Sequence, residues 1–270
     1  MDNIGKTKTV SDLLDPARAA AMHAVLDLAG PAPMVGDALP PFWQYAYFWE
    51  SLPPVGLGRD GHPRTGEFIP DLGLPRRMWA GGSLQFDASL RVGARAEKKS
   101  KIIDVVRKNA RTGPLAFVTL HHEISQDGRI CVVEDQSLIY RAEADLDARK
   151  PKPPIAPMDE TIKKTRMFSA TDLFRYSALT FNGHRIHYDR DYAINVEGYD
   201  GLIVHGPLLA QNLLNLAQSL LGQLKTFQFR ATAPLFDFET VAFCAKPDAK
   251  GVILWARGPD GRMCLSASAT

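Results

Sequence analysis

At 270 residues the chain has room for one large domain or two of modest size, each able to bury a core. Its 32 basic and 30 acidic side chains leave a formal charge of +2, so no strong field points to nucleic acid or to an anionic membrane surface. No apolar run approaches the roughly 18 residues of a spanning helix, and the N-terminus, with Asp2 and Asp12, lacks the apolar core of a signal; the expectation is a soluble protein of the cytoplasm. Cys131, Cys244 and Cys264 stand far apart in apolar, strand-like runs, which suits buried free thiols in a reducing compartment and neither a CxxC metal site nor a disulfide set.

Ser11 is placed to cap a helix running to about residue 29, with Pro16 in its first turn and Gly30-Pro31 as its stop; His23 lies inside this scaffold. Pro40-Pro41 then opens FWQYAYFWES, in which six of ten residues are aromatic, predicting a helix held by ring packing or an aromatic box for a ligand. Residues 53–82 contain twelve Gly or Pro among thirty, which predicts an irregular loop. Phe68, Ile69, Met78 and Trp79 would fold it down as a lid, and Arg59, Arg64, Arg76 and Arg77 along it suit phosphate or carboxylate recognition or plain surface charge.

From Ser83 the pattern changes to strands: SLQFDASLRV, KKSKIIDVVRKNAR, LAFVTLHHEIS and RICVVEDQSLIYR, joined by short turns as in an antiparallel meander. His121 and His122 alternate on one of these strands, so at most one of them faces the core. Residues 145–158 are charged and then proline-rich, which predicts an extended linker. The expected domains are therefore residues 1–145 and 159–270, with 146–158 between them. Past the linker ETIKKTRMFS enters as a strand, and KTFQFRATAP, DFETVAFCAK, GVILWARG and RMCLSASAT close the chain as four more. A proline-started apolar helix followed by four antiparallel strands is expected twice, which makes the class α+β and suggests an internal duplication.

Between the last two groups lies the stretch that carries the chemistry. From Gly206 to Leu224 there is no formal charge, and Leu209, Leu213, Leu216, Ala217, Leu220 and Leu224 fall on one face of a helix. Gln211, Asn212, Asn215, Gln218 and Ser219 make its other face amide and hydroxyl, which predicts a helix buried on one side and semi-enclosed on the other. Gly206-Pro207 starts it sharply after His205, and the exposed N–H groups of a helix start can hold a carbonyl oxygen that becomes negative. Upstream, Asn182, His184 and His187 fall in a short segment between helical residues 172–178 and 189–195. His184, His187, His205 and Asp189 also compose a set of potential metal ligands, although their spacing fits no particular geometry.

The run FNGHRIHYD followed by GLIVHGPLL resembles the signature of the MaoC-like enoyl-CoA hydratases and type 2 3-hydroxyacyl-thioester dehydratases. GLPRRMWAGG and HPRTGEFIP resemble the N-terminal half of the same group. The resemblance implies a double hotdog, two halves each with an antiparallel sheet wrapped around a central helix, the C-terminal half catalytic and the N-terminal half shaping the pocket. It also implies reversible addition of water across the 2,3 double bond of an enoyl-CoA, short and branched or dicarboxylic, such as mesaconyl-C4-CoA or itaconyl-CoA. Where the commoner MaoC pattern has Asp, Asn and Pro, this chain has Asn182, His184 and Arg185. An amide can orient a water but cannot take its proton, so the base role falls on His187, with Asn182 holding the water and the Gly206 N–H polarising the thioester carbonyl.

His184, Arg185, His205, Arg76, Arg77 and Trp79 are the expected substrate contacts. Arg185 can meet a substrate carboxylate or pair with Asp189 or Asp191. Coenzyme A enters as part of the substrate, and no metal or further cofactor is expected. No nucleic-acid or membrane partner is expected, and a homodimer is compatible with the uncharged helix face. A 3-hydroxyacyl carrier-protein dehydratase, a hotdog thioesterase and a non-catalytic acyl-CoA-binding module are the competing readings.

Overall fold

The computed structural model describes residues 3–110, 113–144 and 152–270. They form two compact units. The first is built from Met1–Trp79, Leu84–Ala142 and Arg175–His184, the second from Ala80–Ser83, Glu143–Phe174 and Arg185–Thr270. Of the expected linker, residues 145–151 lie outside the described residues; the rest belongs to the second unit, where Ile155 bridges to Arg262 and the Pro157 carbonyl accepts from Arg257 Nη1 at 2.6 Å.

The first unit holds β1 (Thr7–Leu13), α1 (Pro16–Val25), β2 (Arg76–Phe86, of which Ala80–Ser83 group with the second unit), β3 (Arg95–Ala110), β4 (Gly113–Gln126) and β5 (Arg129–Arg141), with the strand order β1-β3-β4-β5-β2. β4 shows why: from Ala116 to Gln126 every second residue is buried, the period-two signature of a sheet with one face on the core. Ile102, Ala116, Val118, Leu120, Leu138 and Tyr140 form that core, and Phe68, Ile69, Leu72, Leu74 and Trp79 pack against it. The glycine- and proline-rich segment is thus folded onto the sheet through its few apolar side chains.

The second unit holds β6 (Ile162–Met167), α2 (Ala170–Leu179), α3 (Arg190–Asn195), α4 (Gly206–Leu221), β7 (Thr226–Ala231), β8 (Thr240–Asp248), β9 (Gly251–Arg257) and β10 (Met263–Ala269), α2 ending in residues that group with the first unit. Its strand order is β6-β8-β9-β10-β7. Numbered within each unit, both sheets read 1-3-4-5-2, so the duplication predicted from the sequence is a duplication of topology. α4 packs against β7, β8, β9 and β10, burying Leu209, Leu213, Leu216 and Ala217. Its other face carries Asn212 and Asn215, half-buried, and Gln211, which donates to Asn215 Oδ1 at 2.7 Å. The helix ends at Gly222, whose φ of +76° suits a residue without Cβ, short of the predicted Leu224.

Three expectations are corrected. Residues 7–13 are a strand, Ser11 pairing with Glu97, and α1 starts later with Asp15 as its cap. The aromatic run is no helix: only Trp43–Ala46 forms a 3-10 turn, bounded by Phe42 and Phe48 at positive φ, because rings pointing all round the segment are buried and no single helical face could bury them. Arg76, Arg77 and Trp79 lie on β2 rather than on a loop. The three cysteines are free and buried as expected. His122 is buried and His121 reaches Asp135 at 2.7 Å, so one histidine of the pair faces the core.

Candidate active site

The residues predicted to act fall in two pieces that are consecutive in sequence. The second-unit piece begins with a 3-10 turn, Arg185–His187, and continues through Ile203 to His205 and the start of α4. His187 is buried, and its Nδ1–H donates to the Ile203 carbonyl at 2.8 Å. That bond fixes the neutral tautomer: the proton sits on Nδ1 and the lone pair on Nε2. Burial opposes the imidazolium and the Ile203 bond only partly offsets it, so the pKa falls from 6.5 to about 4. At neutral pH His187 is an uncharged base with a defined basic nitrogen. The His205 ring stacks on it, centroids 3.6 Å apart and planes 20° from parallel.

His205 is also the residue before α4, and it places no side chain on the first N–H groups of that helix. The other three described α-helices are capped. Asp15 Oδ1 accepts from Ala17 N–H at 2.7 Å, Ser169 Oγ from Asp172 N–H at 3.2 Å, and Asp189 Oδ1 from Tyr192 N–H at 3.0 Å. Among the described α-helices α4 alone starts without a side-chain cap, which leaves the partial positive charge at Gly206 for another acceptor.

Arg185 lies in the same turn. Its Nη2 donates to Asp189 Oδ2 at 2.7 Å, its Nε to the same oxygen at 3.0 Å, and its guanidinium lies 4.1 Å from the centre of the Tyr192 ring. Of the two roles open to it in the sequence, the structure displays the ion pair.

The first-unit piece is the end of α2 and the turn behind it. Phe181 takes φ +51° and stacks on Trp49, centroids 5.1 Å apart, which brings the chain round so that Asn182 N–H returns to the Ser177 carbonyl at 2.8 Å. A positive φ at a bulky residue is strained, and it sits immediately before the amide assigned to the water. Asn182 Oδ1 accepts from His184 N–H at 3.1 Å. His184 is buried and its ring meets that of His62 at 4.5 Å, beside the buried Asp60. Neither Asp60 nor His62 is among the residues expected at the site: both fall in the glycine- and proline-rich segment, and His62 opens the HPRTGEFIP run. The same unit places Arg77 where its charge acts on Tyr140 and Trp79 edge-on to Tyr45, at 5.0 Å. The alternative metal set of His184, His187, His205 and Asp189 is not the one that comes together: among the described residues the cluster of ligand-type side chains is Asp60, His62 and His184.

A family model for hydroxyacyl-thioester dehydratase type 2 matches residues 42–237. The chain belongs to this family. Mesaconyl-C(4)-CoA hydratase of Chloroflexus aurantiacus is 42% identical over 267 residues, covering 98% of this chain and 95% of that protein. The mitochondrial hydroxyacyl-thioester dehydratase type 2 of Schizosaccharomyces pombe is 26% identical over 77% of each chain. Among solved structures, HtdX of Mycobacterium tuberculosis superposes with a TM-score of 0.71 at 19% identity, covering 98% of this chain and 99% of its own. Another protein of that organism, described as having a double hotdog fold, gives a TM-score of 0.59 at 13% identity and covers 98% and 95%. The fold is a double hotdog, and the family member is a hydro-lyase of acyl thioesters. No described helix is long and apolar enough to cross a membrane.

Proposed function

We propose that the enzyme hydrates a short branched or dicarboxylic enoyl-CoA of the mesaconyl-C4-CoA type to the corresponding 3-hydroxyacyl-CoA, citramalyl-CoA in that case. The full-length relative named mesaconyl-C(4)-CoA hydratase supports the substrate class. The observation that carries the chemistry is the Nδ1–H bond from His187 to the Ile203 carbonyl, which leaves the basic lone pair on Nε2. In the proposed step His187 Nε2 takes a proton from a water oriented by the Asn182 amide. The water oxygen bonds to the β carbon and the π electrons move into the thioester carbonyl. The enolate oxygen is stabilised by the Gly206 N–H at the uncapped start of α4, and His187 returns the proton to the α carbon. Atoms balance: hydroxyl on the β carbon, hydrogen on the α carbon.

Loss of the enoyl-thioester absorbance tests the reading with crotonyl-CoA, mesaconyl-C4-CoA and itaconyl-CoA, comparing the wild type with His187→Ala. The expected result is hydration without thiol release, fastest for a dicarboxylic substrate and abolished by the substitution. Turnover of crotonyl-CoA at an equal or higher rate would remove the dicarboxylate assignment; thiol release would replace hydration by hydrolysis. Faster turnover of a carrier-protein thioester would favour the dehydratase activity in the family's name.

A further inference from the structure

Residues 56–64, GLGRDGHPR, form a tight hairpin within the first unit. Gly58 N–H donates to the His62 carbonyl at 2.7 Å, Arg64 N–H to the Gly56 carbonyl at 3.0 Å, and Leu57 bridges to Pro63. Asp60 Oδ1 accepts from His62 N–H at 3.1 Å inside the loop. The tip of this hairpin lies against the turn at 182–184, more than a hundred residues away in sequence. Two contacts fix it there. The His62 ring meets the His184 ring at 4.5 Å, and a carboxylate oxygen of Asp60 and one ring nitrogen each of His62 and His184 all fall within 4.8 Å of one another. Gly183 approaches the Gly61 carbonyl so closely that a Cβ at position 183 would stand 2.7 Å from that oxygen. Backbone meets backbone, and glycine is required for it.

The turn so gripped carries Asn182. Its amide oxygen accepts from His184 N–H at 3.1 Å, so moving His184 turns the amide. We infer that the 56–64 hairpin belongs to the catalytic apparatus, with Asp60 and His62 as positioning residues that hold His184 and through it the Asn182 amide. This deepens the proposed function and rests on the reading of Asn182 as the residue that orients the water. An amide at position 182 makes such a device useful: an amide acts only by direction, and a carboxylate's charge tolerates misalignment that a single oriented dipole does not.

The test compares kcat and KM for mesaconyl-C4-CoA in the wild type, Asp60→Asn, His62→Gln and Gly183→Ala, with His187→Ala as the control and melting temperature as the check on folding. Each of the three is expected to lower kcat about ten- to a hundredfold, the range for a catalytic group displaced by about an ångström, with KM within about threefold. A fall in melting temperature with kcat unchanged would make the hairpin merely structural and overturn the inference. A raised KM with kcat intact would overturn it in favour of direct substrate contact. Equilibrium dialysis with Zn²⁺ adds a third arm: one equivalent retained by the wild type and lost in His62→Gln would make the cluster a metal site instead. If Gly183→Ala does not fold, the near-isosteric Asp60→Asn and His62→Gln still decide. Full activity in His187→Ala would sink the underlying reading of the site; activity lost there and kept in the hairpin variants would sink this one alone.

Discussion

The two units share one strand order and differ in what fills the chain between their first two strands. In the second unit that interval holds α4, sixteen residues without a formal charge, laid on β7–β10. In the first it holds α1, an aromatic 3-10 turn and the glycine-rich segment, and the buried sheet face carries polar groups. His122 there donates from Nε2 to Gln136 Oε1 at 3.3 Å and accepts at Nδ1 from Ser100 Oγ at 2.7 Å. Tyr45 donates to Glu134 Oε1 at 2.6 Å, while Glu134 Oε2 has no hydrogen-bond partner among the described residues. Burial pushes the Glu134 carboxyl up and the Lys98 ammonium down, each only partly relieved by the other's charge. Both units therefore bury a neutral histidine, but only His187 lies beside an uncapped helix start. The comparison teaches that a buried, deprotonated histidine is not a signature of catalysis until its neighbours offer a place for developing charge.

The sharpest way to break this contrast is His187→Ala, expected to lower kcat by about 10³, read from enoyl absorbance; His122→Gln, its counterpart in the first unit, should leave kcat of the folded protein within about twofold. Next is Leu213→Ala on the fully buried face of α4, expected to cost about 2–5 kcal/mol in denaturant unfolding. In the first unit Tyr45→Phe strands the Glu134 carboxylate further and should cost about 1–3 kcal/mol. A smaller loss for Leu213→Ala than for Tyr45→Phe would mean that the packing of α4 on β7–β10 contributes less than the Tyr45–Glu134 contact of the first unit.

The pH dependence sharpens it further. Unfolded, His187 takes a proton near 6.5; folded, only near 4. The unfolded state binds more protons in between, so this residue's contribution is complete above 6.5, about 3 kcal/mol by linkage, and is lost as pH falls toward 4. His122, also held well below its usual value by burial, acts in the same direction. The acid limb of kcat should accordingly lie well below 6.5; a limb at 6.5 would mean that His187 titrates in water. The smallest expected effect is Asp15→Ala, which removes the side-chain cap of α1 at a cost of about 1 kcal/mol with kcat untouched, since that helix start serves only itself.

What was legible in the sequence follows from the range of the interactions. The strands and α4 announce themselves by period, because a face either meets the core or does not within a few residues. The proposed set of Asn182, His187 and Gly206 is legible as a motif because its members fall close together in the sequence. The aromatic run misled because ring content says what is buried, whereas the positive φ at Phe42 and Phe48 decides the shape. Ser11 misled because a capping residue and a strand residue look alike without the partner strand, here Glu97 on β3. Asp60 and His62 were invisible for the opposite reason to Gly206: what makes them notable is the approach of Gly183 to Gly61, a contact between distant parts of the chain.

The proton on His187 is placed by a carbonyl of the main chain, at Ile203. Substitution changes side chains and leaves that oxygen where it is. The tautomer on which the proposed chemistry depends is therefore insulated from point mutation at its own acceptor: any residue at 203 that keeps the backbone path would supply the same atom. Variation in a lineage can retune the walls around the histidine while the direction in which it carries its proton is inherited with the fold.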